Sequence, residues 1–155
     1  MEQKKADFTL RAMQIEDYDE VYALWKHTKG FAMRSIDDSK EKIARFLERN
    51  PHTSVVAVID GAIVGSILCG HDGRQGCFYH VCVDEAYRRH GIGKAMAQFA
   101  TDALLKEQIS KVSFVAFSNN EAGNAFWRSF GVVDRSDLNR YDLILNKNNV
   151  VHMNE

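Results

Sequence analysis

Asp60-Gly61 sits between two runs of apolar and β-branched residues, Ser54–Ile59 and Ala62–Gly70. This dipeptide accepts the left-handed backbone that a two-residue hairpin loop demands, so it predicts two antiparallel strands at the centre of the chain. A second turn, His71–Gly76, leads into a third strand, Cys77–Val83. A chain with this meander in its middle is neither all-helical nor built on a purely parallel sheet.

On either side of the meander the apolar period changes. Phe8–Met13 alternates as a first strand, and Asp17–Thr28 carries Tyr18, Val21, Tyr22 and Trp25 at helical spacing before Gly30 breaks it. Phe31–Ser35 reads as a loop. Asp37 or Asp38 can cap a second helix bearing Ile43, Phe46 and Leu47, which Asn50-Pro51 ends. Gly91–Lys106 is helical, with Ile92, Met96, Phe99 and Ala103 on one stripe. Val112–Phe117 reads as a strand. Glu121–Phe130 reads as a helix with Ala122, Ala125, Phe126 and Ser129 or Phe130 inward and Gly131 as its stop. Val132–Arg135 and Tyr141–Leu145 read as two last strands, and the polar ends, Met1–Ala6 and Asn146–Glu155, as frayed. The expected fold is a single α/β (α+β) domain over residues 1–155, with an ordered core of about 7–146. Its sheet is mixed and mostly antiparallel, with six to seven strands and helices on both faces.

Of the 155 residues, 45% are hydrophobic and 26% charged, enough apolar material for a real core. The formal net charge of −1 gives no global attraction to nucleic acid or an anionic membrane, so any anion site must be local. No apolar run approaches the roughly 20 residues of a membrane span. The opening MEQKKADFTL lacks an apolar signal core, so a cytoplasmic protein is the default expectation. Cys69, Cys77 and Cys82 form no CxxC pair and are odd in number, which predicts free thiols. The histidines at 27, 52, 71, 80, 90 and 152 are scattered, with no HxxxH pair, so no metal is expected.

The chemistry concentrates where Cys77–Val83 runs into Arg88-Arg89-His90-Gly91-Ile92-Gly93-Lys94. First-turn amides of a helix lack helical partners and the macrodipole adds positive potential there. Glycines at 91 and 93 admit an anion close to the backbone, and Arg88, Arg89 and Lys94 supply charge. Read alone, the same glycines can serve only a tight bend and the charges only a solvated face. Position 96 is Met, so the Rossmann GxGxxG fails, and no Walker GxxxxGK[ST] is present.

What remains is [RQ]-x-x-G-x-G/A after a strand ending V-x-V, here Val81-Cys82-Val83 and Arg88 to Gly93. This resembles the acetyl-CoA motif of the GNAT N-acetyltransferase family. The hairpin Asp60-Gly61-Ala62-Ile63-Val64-Gly65, the late series Asn120, Trp127, Gly131 and the element order resemble the family too. The stretch from Arg34-Ser35 through Asn50-Pro51 resembles a bacterial subgroup of small members. The resemblance implies acetyl-CoA as co-substrate, without a metal, and splayed fourth and fifth strands. It also implies pyrophosphate contacts from the amides of Arg89 to Lys94, pantetheine pairing along Val81–Val83, and a cofactor contact at Asn120, with Trp127 beside it.

The same resemblance implies direct attack of a primary amine on the thioester, and there the sequence departs from the family. Trp127 stands where the usual acid is tyrosine, and the usual glutamate positions align with Val115 and Cys77. His80 is a candidate base, because histidine ordinarily titrates near the working pH. Its neighbour Tyr79 would face the other way on an ideal strand, and Tyr141 is a candidate acid. Core packing is the plain alternative for each. The acceptor, a small amine, an amino acid or a peptide or protein N-terminus, would sit between Thr28–Asp38 and Ser136–Arg140. Arg34 can meet a substrate carboxylate, and Asp37 and Asp38 can attract a cationic amine or cap a helix. Two other readings stay open: an acyl-CoA-binding sensor or interaction module without turnover, and a nucleotide-phosphate binder. A homodimer is possible.

Overall fold

A computed structural model describes residues 7–155; the stretch Met1–Ala6 lies outside the described residues. Strands β1 (Thr9–Ala12), β3 (Val55–Ile59), β4 (Ala62–His71), β5 (Gly76–Val83) and β6 (Val112–Ser113) form one sheet in the order β1-β3-β4-β5-β6. All neighbours are antiparallel except β5 and β6. The Asp60-Gly61 turn forms as predicted, with φ of 49° and 79°.

Helices cover both faces. α1 (Tyr18–His27) and α2 (Lys40–Arg49) bury Val21, Trp25, Ile43 and Leu47 against Val56, Ile63 and Leu68. On the other face, α3 (Ile92–Lys106) and α4 (Glu121–Ser129) pack Met96, Ala100, Leu104 and Trp127 against Val55, Ile67 and Phe78. β3 alternates strictly between the two cores, which is the period-two geometry of a strand buried on both sides. The buried stripe of α3 is Ile92, Met96, Ala97, Ala100 and Leu104; Phe99 and Ala103 flank it, half-buried. On α4, Ala122 and Ala125 are exposed instead of inward, and Trp127 is the buried residue.

Several expectations change. The sheet has five strands, and the other two described strands form a separate pair, β2 (Ala32–Arg34) with β7 (Val151–Met153). The expected loop at Phe31–Ser35 and the expected frayed end at Asn146–Glu155 are therefore partners, each meeting the other's backbone hydrogen-bonding groups. Val132–Arg135 and Tyr141–Leu145 are not strands. A strand needs a ladder to join, and β6 offers only Val112 and Ser113 in regular pairing, so Tyr141, Leu143 and Leu145 stay exposed. The N-cap of α2 is Ser39, whose hydroxyl accepts from the Lys42 amide, which leaves Asp38 for another task.

Candidate active site

β5 and β6 pair in parallel only at Gly76–Val112 and Cys77–Ser113. Beyond Cys77 the two strands part, so the outer edge of β5 is open, as the resemblance implied. Asp84 donates its amide to Val64 across the β4 side. By alternation, Cys82 also faces β4, whereas the backbone groups of Val81 and Val83 face the opening. The Val83 carbonyl takes Arg88 Nε at 3.1 Å instead of a strand partner. The Cys82 side chain is buried toward α1, within 3.5 Å of Ser66 Oγ, so only its backbone is available to the edge.

The open edge leads straight into α3. Gly91 is its N-cap, in the left-handed region at φ 79°, and Arg89 also has a positive φ of 69°. The first described amide to regain a partner is that of Ala95, bonded to Gly91 at 3.1 Å. The amides of Arg89, His90, Gly91, Ile92, Gly93 and Lys94 have no hydrogen-bond partner among the described residues. Six successive free donors at a helix start, beside exposed Arg88, Arg89 and Lys94, make a local positive site on a chain of near-zero net charge. A Cβ on Gly93 would stand 3.4 Å from Phe126 Cζ and 3.8 Å from Val83 Cγ2, so β5, α3 and α4 converge there.

Two other proposed cofactor contacts sit differently. Asn120 caps α4 by accepting the Gly123 amide at 3.0 Å, and its side-chain NH2 has no partner among the described residues. Trp127 is 8% exposed, packed among Phe78, Phe114, Phe126 and Phe130, so its ring is core and not a surface against the cofactor arm. Tyr141 is 86% exposed in the irregular stretch after α4, with no hydrogen bond among the described residues. Two clefts open elsewhere, about 230 Å³ beside Met13, Leu47 and Pro51 and about 410 Å³ beside His52, Phe99 and Glu107. Neither includes β5 or the start of α3.

His80 lies on a β-bulge. The register steps from Ser66–Cys82 to Leu68–Tyr79, so β5 carries one extra residue, and His80 absorbs it at φ 51°. Tyr79 and His80 consequently face the same side: Tyr79 meets Phe46 of α2 edge-on, and His80 lies 4.7 Å from both the Trp25 and Phe31 rings. The expectation that they face opposite ways fails for that reason. Burial pushes the half-exposed Tyr79 hydroxyl up to about 12, with Cys77 adding to the rise.

The residue that sequence reasoning assigned elsewhere is Asp38. It is 5% exposed, and its Oδ1 lies 2.6 Å from His80 Nε2. Its Oδ2 accepts the Arg34 amide at 2.7 Å, and its carbonyl accepts the Tyr18 hydroxyl at 2.6 Å. Desolvation, reinforced by Tyr22 and Asp38, pushes that Tyr18 hydroxyl up to about 12. Both Asp38 oxygens are thus engaged within the fold, and Asp38 is not the cap of α2. No local signal joins residues 42 apart in sequence; only the fold brings Asp38 to His80.

A mixed sheet whose parallel pair opens beside a helix start rich in free amides is the arrangement that the resemblance implied. Residues 15–132 match the model of the acetyltransferase (GNAT) family, and the chain belongs to that family. A protein of Yersinia pestis named acetyltransferase is 29% identical over 136 residues, 88% of this chain and 91% of the relative. The ribosomal-protein-S18-alanine N-acetyltransferase of Escherichia coli superposes with a TM-score of 0.67 at 19% identity, covering 81% of this chain and 77% of that one. PaiA N-acetyltransferase from Thermoplasma acidophilum, solved in complex with coenzyme A, has a TM-score of 0.66 at 16% identity, covering 79% and 87%. At these identities the two solved structures attest to the fold. No helix among the described residues is long and apolar enough to cross a membrane.

Proposed function

We propose that the protein moves an acetyl group from acetyl-CoA to a primary amine by direct attack. The observation that carries this reading is the unbroken run from the open edge at Val81–Val83 to the free amides of Arg89 through Lys94. The pantetheine arm adds along the edge as an extra strand, and the pyrophosphate takes the amides. Arg88, Arg89 and Lys94 supply charge, and the free NH2 of Asn120 supplies a donor on the α4 side. Coenzyme A in the PaiA complex supports the donor assignment.

The amide of Val81 or Val83 polarises the thioester carbonyl as its oxygen gains charge. A primary amine with a lysine-like pKa near ~10.4 arrives mostly as ammonium and must lose a proton to attack. His80, next to Val81, takes that proton directly or through one water. The amine nitrogen bonds to the acetyl carbon, that nitrogen gives up its second proton to water, the carbon–sulfur bond breaks, and the thiolate takes a proton from the imidazolium or from water. The acceptor is a small amine, an amino acid or a protein N-terminus.

Calorimetric titration with acetyl-CoA, beside thermal shifts with ATP and NAD, tests the donor; a selective ligand stabilises by mass action. Equal response to ATP or NAD sinks the assignment. Thioester consumption against a panel of amines then tests the transfer. His80→Ala is expected to lower kcat/KM by ~100-fold with unchanged acetyl-CoA affinity. Binding without turnover on any amine would instead make the protein an acyl-CoA-binding module.

A further inference from the structure

We infer that Asp38 is the positioning residue for His80, fixing the imidazole as the Nε2–H tautomer and so keeping the lone pair on Nδ1. This deepens the proposed function and rests on its use of His80 as the base. A carboxylate only accepts, so the 2.6 Å contact between Asp38 Oδ1 and His80 Nε2 requires the proton on Nε2. The neutral ring then presents Nδ1 as its acceptor. Nδ1 has no hydrogen-bond partner among the described residues, and the His80 side chain is 16% exposed.

Asp38 is itself held from three sides. The Arg34 amide takes Oδ2, the Tyr18 hydroxyl takes the carbonyl, and the side chain is almost wholly buried. The ring cannot swing away, because the Trp25 and Phe31 rings flank it and its backbone is the bulge itself. A carboxylate at 2.6 Å also offsets the charge of the imidazolium formed when Nδ1 takes a proton from the amine. The bulge and the Asp38 contact thus act on one atom: the first places the ring beside the V-x-V edge, the second decides which nitrogen can accept.

The Arg34 amide makes the test directional. In Asp38→Asn, the side-chain oxygen stays on the Arg34 N–H, so the NH2 faces His80. Nε2 must then accept, and the proton moves to Nδ1, where it blocks the base. We expect kcat to fall ~100-fold or more with the acetyl-CoA Kd unchanged. In ring-selective 15N spectra the neutral His80 N–H should move from Nε2 in the parent to Nδ1 in the variant. A parent ring already protonated at Nδ1 overturns the inference without any variant. So does an Asn variant that holds the parent tautomer, or keeps kcat within about threefold. His80→Ala separates the two levels. If it stays active, the base assignment fails and the Asp38 role falls with it. If it is inactive while Asp38→Asn turns over normally, only the Asp38 role fails.

Discussion

Asn154 donates its side-chain amide to the carbonyl of Trp25 at 2.7 Å and to that of Thr28 at 3.0 Å. These carbonyls lie at the C-terminal end of α1, where a helix has no partners of its own to offer. The cap comes from the far end of the chain. Its backbone continues the contact, with Gly30 donating to the Asn154 carbonyl and Asn154 donating to Phe31. Asn149 completes it by accepting the amides of Ile36 and Asp37.

The segment Thr28–Asp38 carries Phe31, which flanks His80, and Asp38, which holds it. Removing residues 147–155 should therefore loosen the surroundings of His80, the proposed acceptor side, alone. Steady-state kinetics should show a raised acceptor KM and a lowered kcat, while calorimetry finds acetyl-CoA affinity unchanged. Equal loss at both substrates would argue that the whole domain had softened. Asn154→Ala should cost ~1 kcal/mol in denaturant unfolding.

Gly91 and Gly93 should separate stability from binding. Gly91 sits at φ 79° with nothing within 4 Å of where a Cβ would stand, so Gly91→Ala incurs backbone strain of about 1 kcal/mol. Gly93 has no such φ, and its added Cβ meets Phe126 at an ordinary 3.4 Å. Gly93→Ala should leave the melting temperature nearly unchanged, because the added methyl group lies beside Phe126 and Val83. Gly91→Asp should share the strain of Gly91→Ala yet weaken acetyl-CoA at least ~10-fold, because its carboxylate repels the pyrophosphate at the helix start; unchanged affinity would remove the pyrophosphate from this spot.

Ser66 bridges the sheet and α1: its Oγ accepts Trp25 Nε1 at 3.0 Å, and neither residue is exposed. Ser66→Ala would strand a buried indole N–H, at a cost of about 1–3 kcal/mol in urea unfolding. Because Trp25 flanks His80, kcat should fall as well. A variant as stable as the parent would show that the indole finds another partner.

Asp17 is held below the ordinary carboxylate range, first by the two hydrogen bonds from Arg11, at 2.7 and 2.8 Å, and then by the Gln14 amide, against the opposing effect of burial. A depressed carboxyl contributes stability that is present above the ordinary range near ~4 and is lost as pH falls through the folded value. Arg11→Ala should cost about 0.5–1 kcal/mol at neutral pH, since the guanidinium is half-exposed. It should cost progressively less in acid. A constant difference down to low pH would assign the loss to packing.

The proposed donor side was legible in the sequence because it uses backbone. Asp60-Gly61, the V-x-V run and the glycines at 91 and 93 are local signals for local geometry, and the structure forms the expected turn, edge and helix start. The surroundings of His80 were opaque for an equally physical reason. Asp38 meets His80 only through packing of α1 and α2 on the sheet, and Ser39, one residue on, is the cap that the local pattern sought. Nor does β5 announce its bulge with glycine or asparagine; histidine takes the left-handed backbone there. Trp127 resembled a site residue by its place in a motif, whereas its ring fills the core. The last two expected strands had the right alternation but no ladder to join.

The bulge at His80 also changes the counting rule along β5. Before it, even positions such as Phe78 serve the α3 and α4 core and odd ones such as Tyr79 the opposite face. After it, Val81 and Val83 serve the α3 core and Cys82 the other. The strand is two segments out of phase by half a period, joined at one residue. Deleting His80 would therefore leave Phe78, Tyr79, Val81, Cys82 and Val83 alternating without a break, each on its present face, and would remove the bulge together with its imidazole, whereas a side-chain replacement at 80 keeps the bulge. The hinge between phases is thus what turns two successive side chains, Tyr79 and His80, to the α1–α2 side of the sheet while the valines beyond it still fill the α3 core.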